Sequence, residues 1–371
     1  MALKTTTVSS GVHREQPYKG RGASLNLEGR FEVWQREGFD DGWEEPEREN
    51  PAPKTIVTNE QAKSIINPVN SPDIPFRYSL NPYRGCEHGC IYCFARPTHS
   101  YLGLSPGLDF ETRIFAKVNA PELLRKELSK PGYEADVISM GVITDAFQPC
   151  EREYKLTRQC LEIMSSFNQP VGLITKSALI ERDIDILQSM AERNLVHVAV
   201  SITTLDHQIS RYLEPRTSAP ARRMQTIKRL AEAGIPVSIN VAPVIPFLTD
   251  HELEILLETG RAMGATNAGY ILLRLPWELK DVFRDWLQNH FPLKAAHVMS
   301  RVQEMRGGRD NDPAFGSRMT GEGIFADLLA QRFAKACQRL DLNNIGRRHL
   351  QQLDCSRFKV PGLAVQGTLF G

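Results

Sequence analysis

The sequence predicts an α/β fold, a barrel or part of one built from parallel βαβ units. Two observations lead there. Six short β-branched or apolar runs lie between residues 76 and 275, and helical patterns follow the first run and each later one. Gly234 before Ile235-Pro236, and Gly264 after Met263, stand where helices stop, which separates each helix from the next strand.

The expected strands are 76–80 (FRYSL), 137–142 (VISMGV), 171–175 (VGLIT), 196–203 (VHVAVSIT), 237–244 (VSINVAPV) and 270–275 (YILLRL). The expected helices are 120–128, 153–166, 181–193, 221–233, 250–263 and 279–289. In such a fold chemistry gathers at the carboxyl ends of the strands. Residues 1–72 read as a partly disordered N-terminal arm, with an acidic run from Glu32 to Glu49. Within it, residues 20–31 (GRGASLNLEGRF) are able to fold back on the barrel. The barrel is expected over 73–291. A helical extension, 292–342, follows with helices at 294–305 and 323–340 around a Gly/Arg-rich loop, 306–323, and residues 343–371 form a tail.

Bulk properties narrow the function. The 371 residues, 41% hydrophobic, suffice for one large domain or two small ones. Lys plus Arg number 45 against 44 Asp plus Glu, so no global field draws polyanions, and nucleic-acid contact must come from local patches. No apolar run approaches the roughly 18 residues of a membrane span, and no signal peptide is visible, so a cytoplasmic protein is expected. Seven cysteines, an odd number, argue against a secreted disulfide scaffold.

The strongest motif is Cys86-Glu-His-Gly-Cys90-Ile-Tyr-Cys93, a C-x3-C-x2-C spacing. Three thiolates on one short loop can converge on a cubane iron–sulfur cluster and leave one iron without a protein ligand. An open iron can chelate the amino and carboxylate groups of a small molecule. The alternative is structural zinc, with His99 or His88 completing a Cys3His set in a non-enzymatic nucleic-acid adaptor.

With Tyr92 just before its third cysteine, the motif resembles the radical SAM superfamily. The wider context, Asn81-Pro82-Tyr83-Arg84-Gly85, Cys93-Phe94-Ala95-Arg96, Thr144-Asp145-Ala146-Phe147-Gln148-Pro149, Ile174-Thr175-Lys176-Ser177 and Leu213-Glu214-Pro215-Arg216-Thr217, resembles the spore photoproduct lyase-like branch. The resemblance spans residues 76–276. It implies a partial (β/α)6 TIM-like barrel with a [4Fe–4S] cluster on Cys86, Cys90 and Cys93. It further implies reductive cleavage of S-adenosylmethionine (SAM) to a 5′-deoxyadenosyl radical, with flavodoxin or ferredoxin as reductant. Such chemistry belongs to the cofactor, and the protein supplies positioning.

The resemblance assigns the cofactor contacts. Thr144 and Asp145 end the second strand, where Asp145 brings charge for the methionine ammonium. Lys176 ends the third strand and neutralises the carboxylate. Ser201 on the fourth strand matches a serine that contacts SAM, Tyr92 lies against adenine, and the backbone near Ala242 and Leu273 borders it. Glu214 and Arg216 either bind each other or reach the ribose and carboxylate. One position departs from the lyase. Its hydrogen-returning cysteine is replaced by Ile143, which leaves Cys150 as the catalytic candidate, with a buried spare thiol as the other reading of that residue. Cys160, Cys337 and Cys355 read as bystanders.

Repair or modification of nucleic acid is the leading expectation, and radical modification of a protein or small molecule fits the same core. The basic stretch from Arg211 to Arg229 reads as the solvent face of an outer helix. Arg306, Arg309 and Arg318, with Phe315 in a glycine-rich loop, suit phosphates and bases. The final residues include Gln366, Leu369 and Phe370, and Gln-x-x-Leu-Phe resembles the peptide by which bacterial repair proteins dock on the sliding clamp.

Overall fold

The β-branched and apolar runs become the six central strands of a computed structural model, which describes residues 18–32, 53–344 and 353–362. These are β1 (Tyr78–Leu80), β2 (Ile138–Met140), β3 (Val171–Thr175), β4 (Val196–Ser201), β5 (Val237–Val244) and β6 (Asn267–Leu272), paired in that order and all parallel. In β4 every residue but Ala199 is buried, the two-sided burial of a strand between outer helices and a filled interior. Helices Ala120–Leu128, Leu156–Phe167, Ile184–Glu192, Pro220–Glu232 and Leu253–Ala262 connect successive strands, and Leu279–His290 follows β6. The sheet stays open. Ile66–Pro68 adds antiparallel to β1, and β6 is the other edge. The architecture is therefore the partial (β/α)6 barrel.

Local chemistry explains where boundaries moved. The helix expected over 153–166 is two, Glu151–Tyr154 and Leu156–Phe167, with Lys155 left-handed between them at φ 53°. The Glu151 carboxylate accepts the Thr157 N–H at 3.0 Å and so caps the second helix. β6 begins and ends three residues earlier than expected; the Leu273 N–H still donates to the Val244 carbonyl at 3.1 Å, while Leu273 and Leu275 pack with Ile245 and Leu279. Helix His207–Leu213 was not anticipated. Asp206 starts it by accepting the N–H groups of Gln208 at 2.7 Å and Ile209 at 2.8 Å.

The described part of the arm is bound to the barrel. Ile56–Glu60 pairs parallel with Arg113–Lys117, which Tyr83–Arg84 joins from the other side. Residues 20–31 fold back beside the cysteine loop, where the Leu108 N–H donates to the Leu25 carbonyl at 3.3 Å and Ser105 Oγ to the Leu27 carbonyl at 2.6 Å. Acidic residues 33–49 and the tail residues Gln366, Leu369 and Phe370 lie outside the described residues.

Of the C-terminal helices, Pro292–Glu304 packs its Val298, Met299 and Val302 on Leu279–His290, and Ile324–Arg339 lies against β6, with Phe333 4.7 Å from Tyr270 between ring centres. At the β6 edge, the Asn343 side chain donates to the Ala268 carbonyl at 3.0 Å and accepts the Ala268 N–H at 2.8 Å. Farther along, Arg306 donates to the Leu273 carbonyl at 2.9 Å. These side chains take the place of a missing strand. Among the described residues no helix is long and apolar enough to cross a membrane.

Candidate active site

The cysteine loop is built from a turn that only glycine tolerates and a buried arginine. Gly85 opens it at φ 75° and Gly89 sits inside it at φ 66°. Arg96, fully buried, donates to the carbonyls of Cys90 at 2.9 Å, Gly89 at 2.9 Å and Gly107 at 2.7 Å, and pairs with Glu111 at 3.2 Å. Glu111 in turn accepts the N–H groups of Gly22 and Ala23, each at 2.9 Å. The loop is thereby fixed from its outer side by the N-terminal segment.

Cys86, Cys90 and Cys93 are free thiols and line one cavity of about 230 Å³ at the carboxyl ends of β2 to β6. Burial raises the Cys86 thiol, with Asp145 and Cys90 adding to it, and burial pushes Cys90 up to about 12 against the pull of Lys176. Thiolates here need a cation to take up their charge, which a cluster of iron provides. The donor set therefore fits a [4Fe–4S] group. The zinc alternative is not assembled. His99 is buried, outside the cavity wall, with Nε2 3.0 Å from the Arg113 carbonyl. His88 is in the cavity wall with its Nδ1 3.3 Å from Asp145 Oδ2, and among the described residues no three His, Cys, Asp or Glu side chains are placed to hold a single metal ion.

Asp145, Thr144 and Lys176 reach the same cavity, as do Tyr92 and Ser201. Thr144 Oγ1 donates to the Gly85 carbonyl at 2.6 Å, so it also holds the start of the cysteine loop. Asp145 accepts from Thr175 Oγ1 at 2.8 Å, the Phe147 N–H at 2.9 Å and the Lys176 N–H at 2.7 Å. Burial works against its ionisation, yet His88 and these donors hold its pKa down at about 2. Lys176 is raised above its ordinary value; burial opposes this, and the charges of Cys90, Glu214 and Asp145 outweigh it. Its ammonium lies 5.8 Å from the Tyr92 ring centre.

Four expectations change. Glu214 and Arg216 neither pair with each other nor line the cavity. Glu214 is buried against Arg223, accepts the Tyr92 hydroxyl and accepts Thr203 Oγ1 at 2.9 Å; Arg216 reaches Glu87 at 3.3 Å. Both brace the cysteine loop from behind, with the Arg216 N–H on the His88 carbonyl at 3.3 Å. Arg223 is thus a core residue, not part of a basic solvent face. Cys150 is also out of the site. It packs among Tyr83, Ile114, Ala116 and Leu156, and burial drives its thiol well above the usual range. Arg306 is buried on backbone carbonyls, and Arg318 holds Asp73 through Nε at 2.6 Å; of the expected basic trio only Arg309 remains mostly exposed.

Sequence reasoning passed over three cavity residues: Gly141, Asn240 and Arg274. A Cβ on Gly141 would stand 2.0 Å from the Ile174 carbonyl oxygen, a backbone contact that no periodicity reveals. Arg274 is hidden inside the apolar run YILLRL.

The radical SAM superfamily model matches residues 80–259, the interval holding the three cysteines and five of the six strands' carboxyl ends. The chain belongs to the radical SAM superfamily. This radical SAM protein is 37% identical over 246 residues to an uncharacterised protein of Mycobacterium tuberculosis, covering 66% of this chain and 71% of that one. It is 29% identical over 187 residues to the radical SAM Nα-GlyT isomerase of Pseudomonas phage M6, covering 49% of this chain and 36% of the isomerase. Its fold is shared with spore photoproduct lyase in complex with a dinucleoside spore photoproduct. There the TM-score is 0.53 at 14% identity, over 76% of this chain and 79% of the lyase. It is a radical SAM enzyme of that architecture.

Proposed function

We propose that this radical SAM enzyme reductively cleaves SAM and directs the outcome at a nucleic-acid substrate. The carrying observation is that one cavity joins Cys86, Cys90 and Cys93 to Asp145 and Lys176 on adjacent strand ends. A [4Fe–4S] group held there would supply the one electron that cleaves SAM to methionine and a 5′-deoxyadenosyl radical. The chain's own residues position the reactants. Cys86, Cys90 and Cys93 would hold the cluster. Lys176 pairs with the methionine carboxylate, and Asp145 places negative charge beside the ammonium while fixing the Lys176 backbone. Tyr92 and Ser201 border the space left for the nucleoside, next to the Ala242 backbone.

Nucleic acid as the substrate is supported by the shared fold with a lyase solved on a dinucleoside. The lyase's dimer-splitting step is not proposed here. Ile143, 40% exposed on the cavity wall, offers no S–H where that reaction needs one. Anaerobic turnover with SAM, a reductant and deuterated DNA or RNA tests the reading. Deuterium should appear in 5′-deoxyadenosine. Absence of 5′-deoxyadenosine would remove SAM cleavage, while its formation with deuterium only from protein or small-molecule substrates would redirect the substrate class.

A further inference from the structure

Arg274 brings a positive charge to the cavity wall and meets no acid there. It follows β6 and lines the cavity with Phe94 and Met319. Its Nε is buried without a hydrogen-bond partner, and Nη1 donates to the Met319 sulfur at 3.6 Å. Asp73 attracts it, but that carboxylate is already held by Arg318 at 2.6 Å and by the Gly316 N–H at 3.3 Å. Among the described residues no carboxylate forms an ion pair with Arg274. Burial, with Arg318 and Arg306 nearby, lowers its pKa to about 10, so it remains a cation at neutral pH.

The guanidinium lies 5.4 Å from the centre of the Phe94 ring. With Nε buried and Nη1 turned to Met319, Nη2 is left to donate to an oxyanion. Phe94 is 41% exposed and Ile143 40%, an apolar surface beside the cation at the cavity wall. SAM does not account for the charge. Its one anionic group is the carboxylate, placed at Lys176 on β3. β6 lies three strands from β3 in the sheet, on the other side of the cavity wall.

We propose that Arg274, backed by Phe94 and Met319, binds a backbone phosphate of a nucleic-acid strand, with the adjoining base against Phe94 and Ile143. This rests on the nucleic-acid reading above and names the point at which the strand is gripped.

The test uses full-length, anaerobically reconstituted protein and a fluorescent single-stranded oligodeoxynucleotide, with anisotropy followed across a salt series. Arg274→Gln should weaken binding about tenfold or more at low salt and reduce the slope of log Kd against log salt by about 0.7, one phosphate contact. Arg274→Lys should keep most of the slope and lose part of the affinity, because the fork is gone but the charge remains. SAM affinity and iron content should match wild type in both. Arg274→Gln should also unfold at the wild-type temperature or above it, since no partner is left unpaired; a lower midpoint would mark a structural role and overturn the subsite. Wild-type affinity and slope in Arg274→Gln would overturn the phosphate assignment and leave the nucleic-acid reading standing. If wild-type protein holds SAM yet binds no oligonucleotide at low salt, both fall together. Loss of SAM affinity in Arg274→Gln would give the residue to the cofactor.

Discussion

A Cβ atom on Gly22 would stand 1.9 Å from the carbonyl oxygen of Gly89. The N-terminal segment therefore crosses the cysteine loop at a distance that admits only hydrogen. Glu111 holds both sides, taking the Gly22 and Ala23 N–H groups and pairing with Arg96, which carries the loop carbonyls. Gly22→Ala should push the segment off the loop and destabilise the fold by about 1–3 kcal/mol, as overpacking does. The rate of iron loss to a chelator reads the first effect, and thermal unfolding reads the second. Unchanged rates would mean that the segment and the loop are independent.

Cluster ligation separates the cysteines cleanly. Cys86→Ala, Cys90→Ala and Cys93→Ala should each lose the bound iron, about four atoms per chain in the reconstituted wild type. Cys150→Ala should retain it, because that thiol is packed away from the cavity. Stoichiometric zinc in protein purified without air would contradict the ligation itself.

Lys176→Ala and Asp145→Asn should weaken SAM binding by about 1.5–3 kcal/mol each while iron content stays normal. Calorimetric titration of the reconstituted variants decides it. Wild-type affinity in both would remove these two contacts from the cofactor.

Asp145 also sets a pH dependence. Its folded pKa, about 2, lies below its ordinary 3.8. The stabilisation is fully present above the unfolded value and disappears as pH falls through the folded one. It amounts to about 2 kcal/mol. The stability difference between wild type and Asp145→Asn, read from urea midpoints, should be flat at neutral pH and shrink between about pH 4 and pH 2. A difference that grows on acidification would reverse the sign and the argument.

Glu214 and Arg223 form an ion pair with neither side chain exposed. Glu214→Ala strands the Arg223 charge and should cost about 3–5 kcal/mol. Glu214→Gln combined with Arg223→Met should recover much of that loss in denaturant unfolding. Equal losses in the single and double variants would show that packing, not charge, decides stability there.

Five of the parallel strands were legible because each carries a β-branched run, and Cys86, Cys90 and Cys93 because their spacing is rare. What stayed hidden depends on partners distant in sequence. Ile56 becomes a strand residue through Arg113, and nothing local marks it. Arg306 and Arg318 read as free charges until Leu273 and Asp73 are placed against them. Glu214 and Arg216 looked like neighbours in one loop, yet each turns to a different element, Arg223 on the following helix and Glu87 in the cysteine loop. Leu273 and Leu275 looked like strand because apolar alternation does not distinguish a ladder from a buried turn.

Asn343 holds the Ala268 N–H and carbonyl as a neighbouring strand would. A truncation ending the chain near residue 291 would therefore not yield a smaller working barrel. It would uncover a ready-made template for another chain to extend, and the fragment should self-associate through it. The catalytic core and its C-terminal helices are inseparable for a reason of solubility as much as of shape.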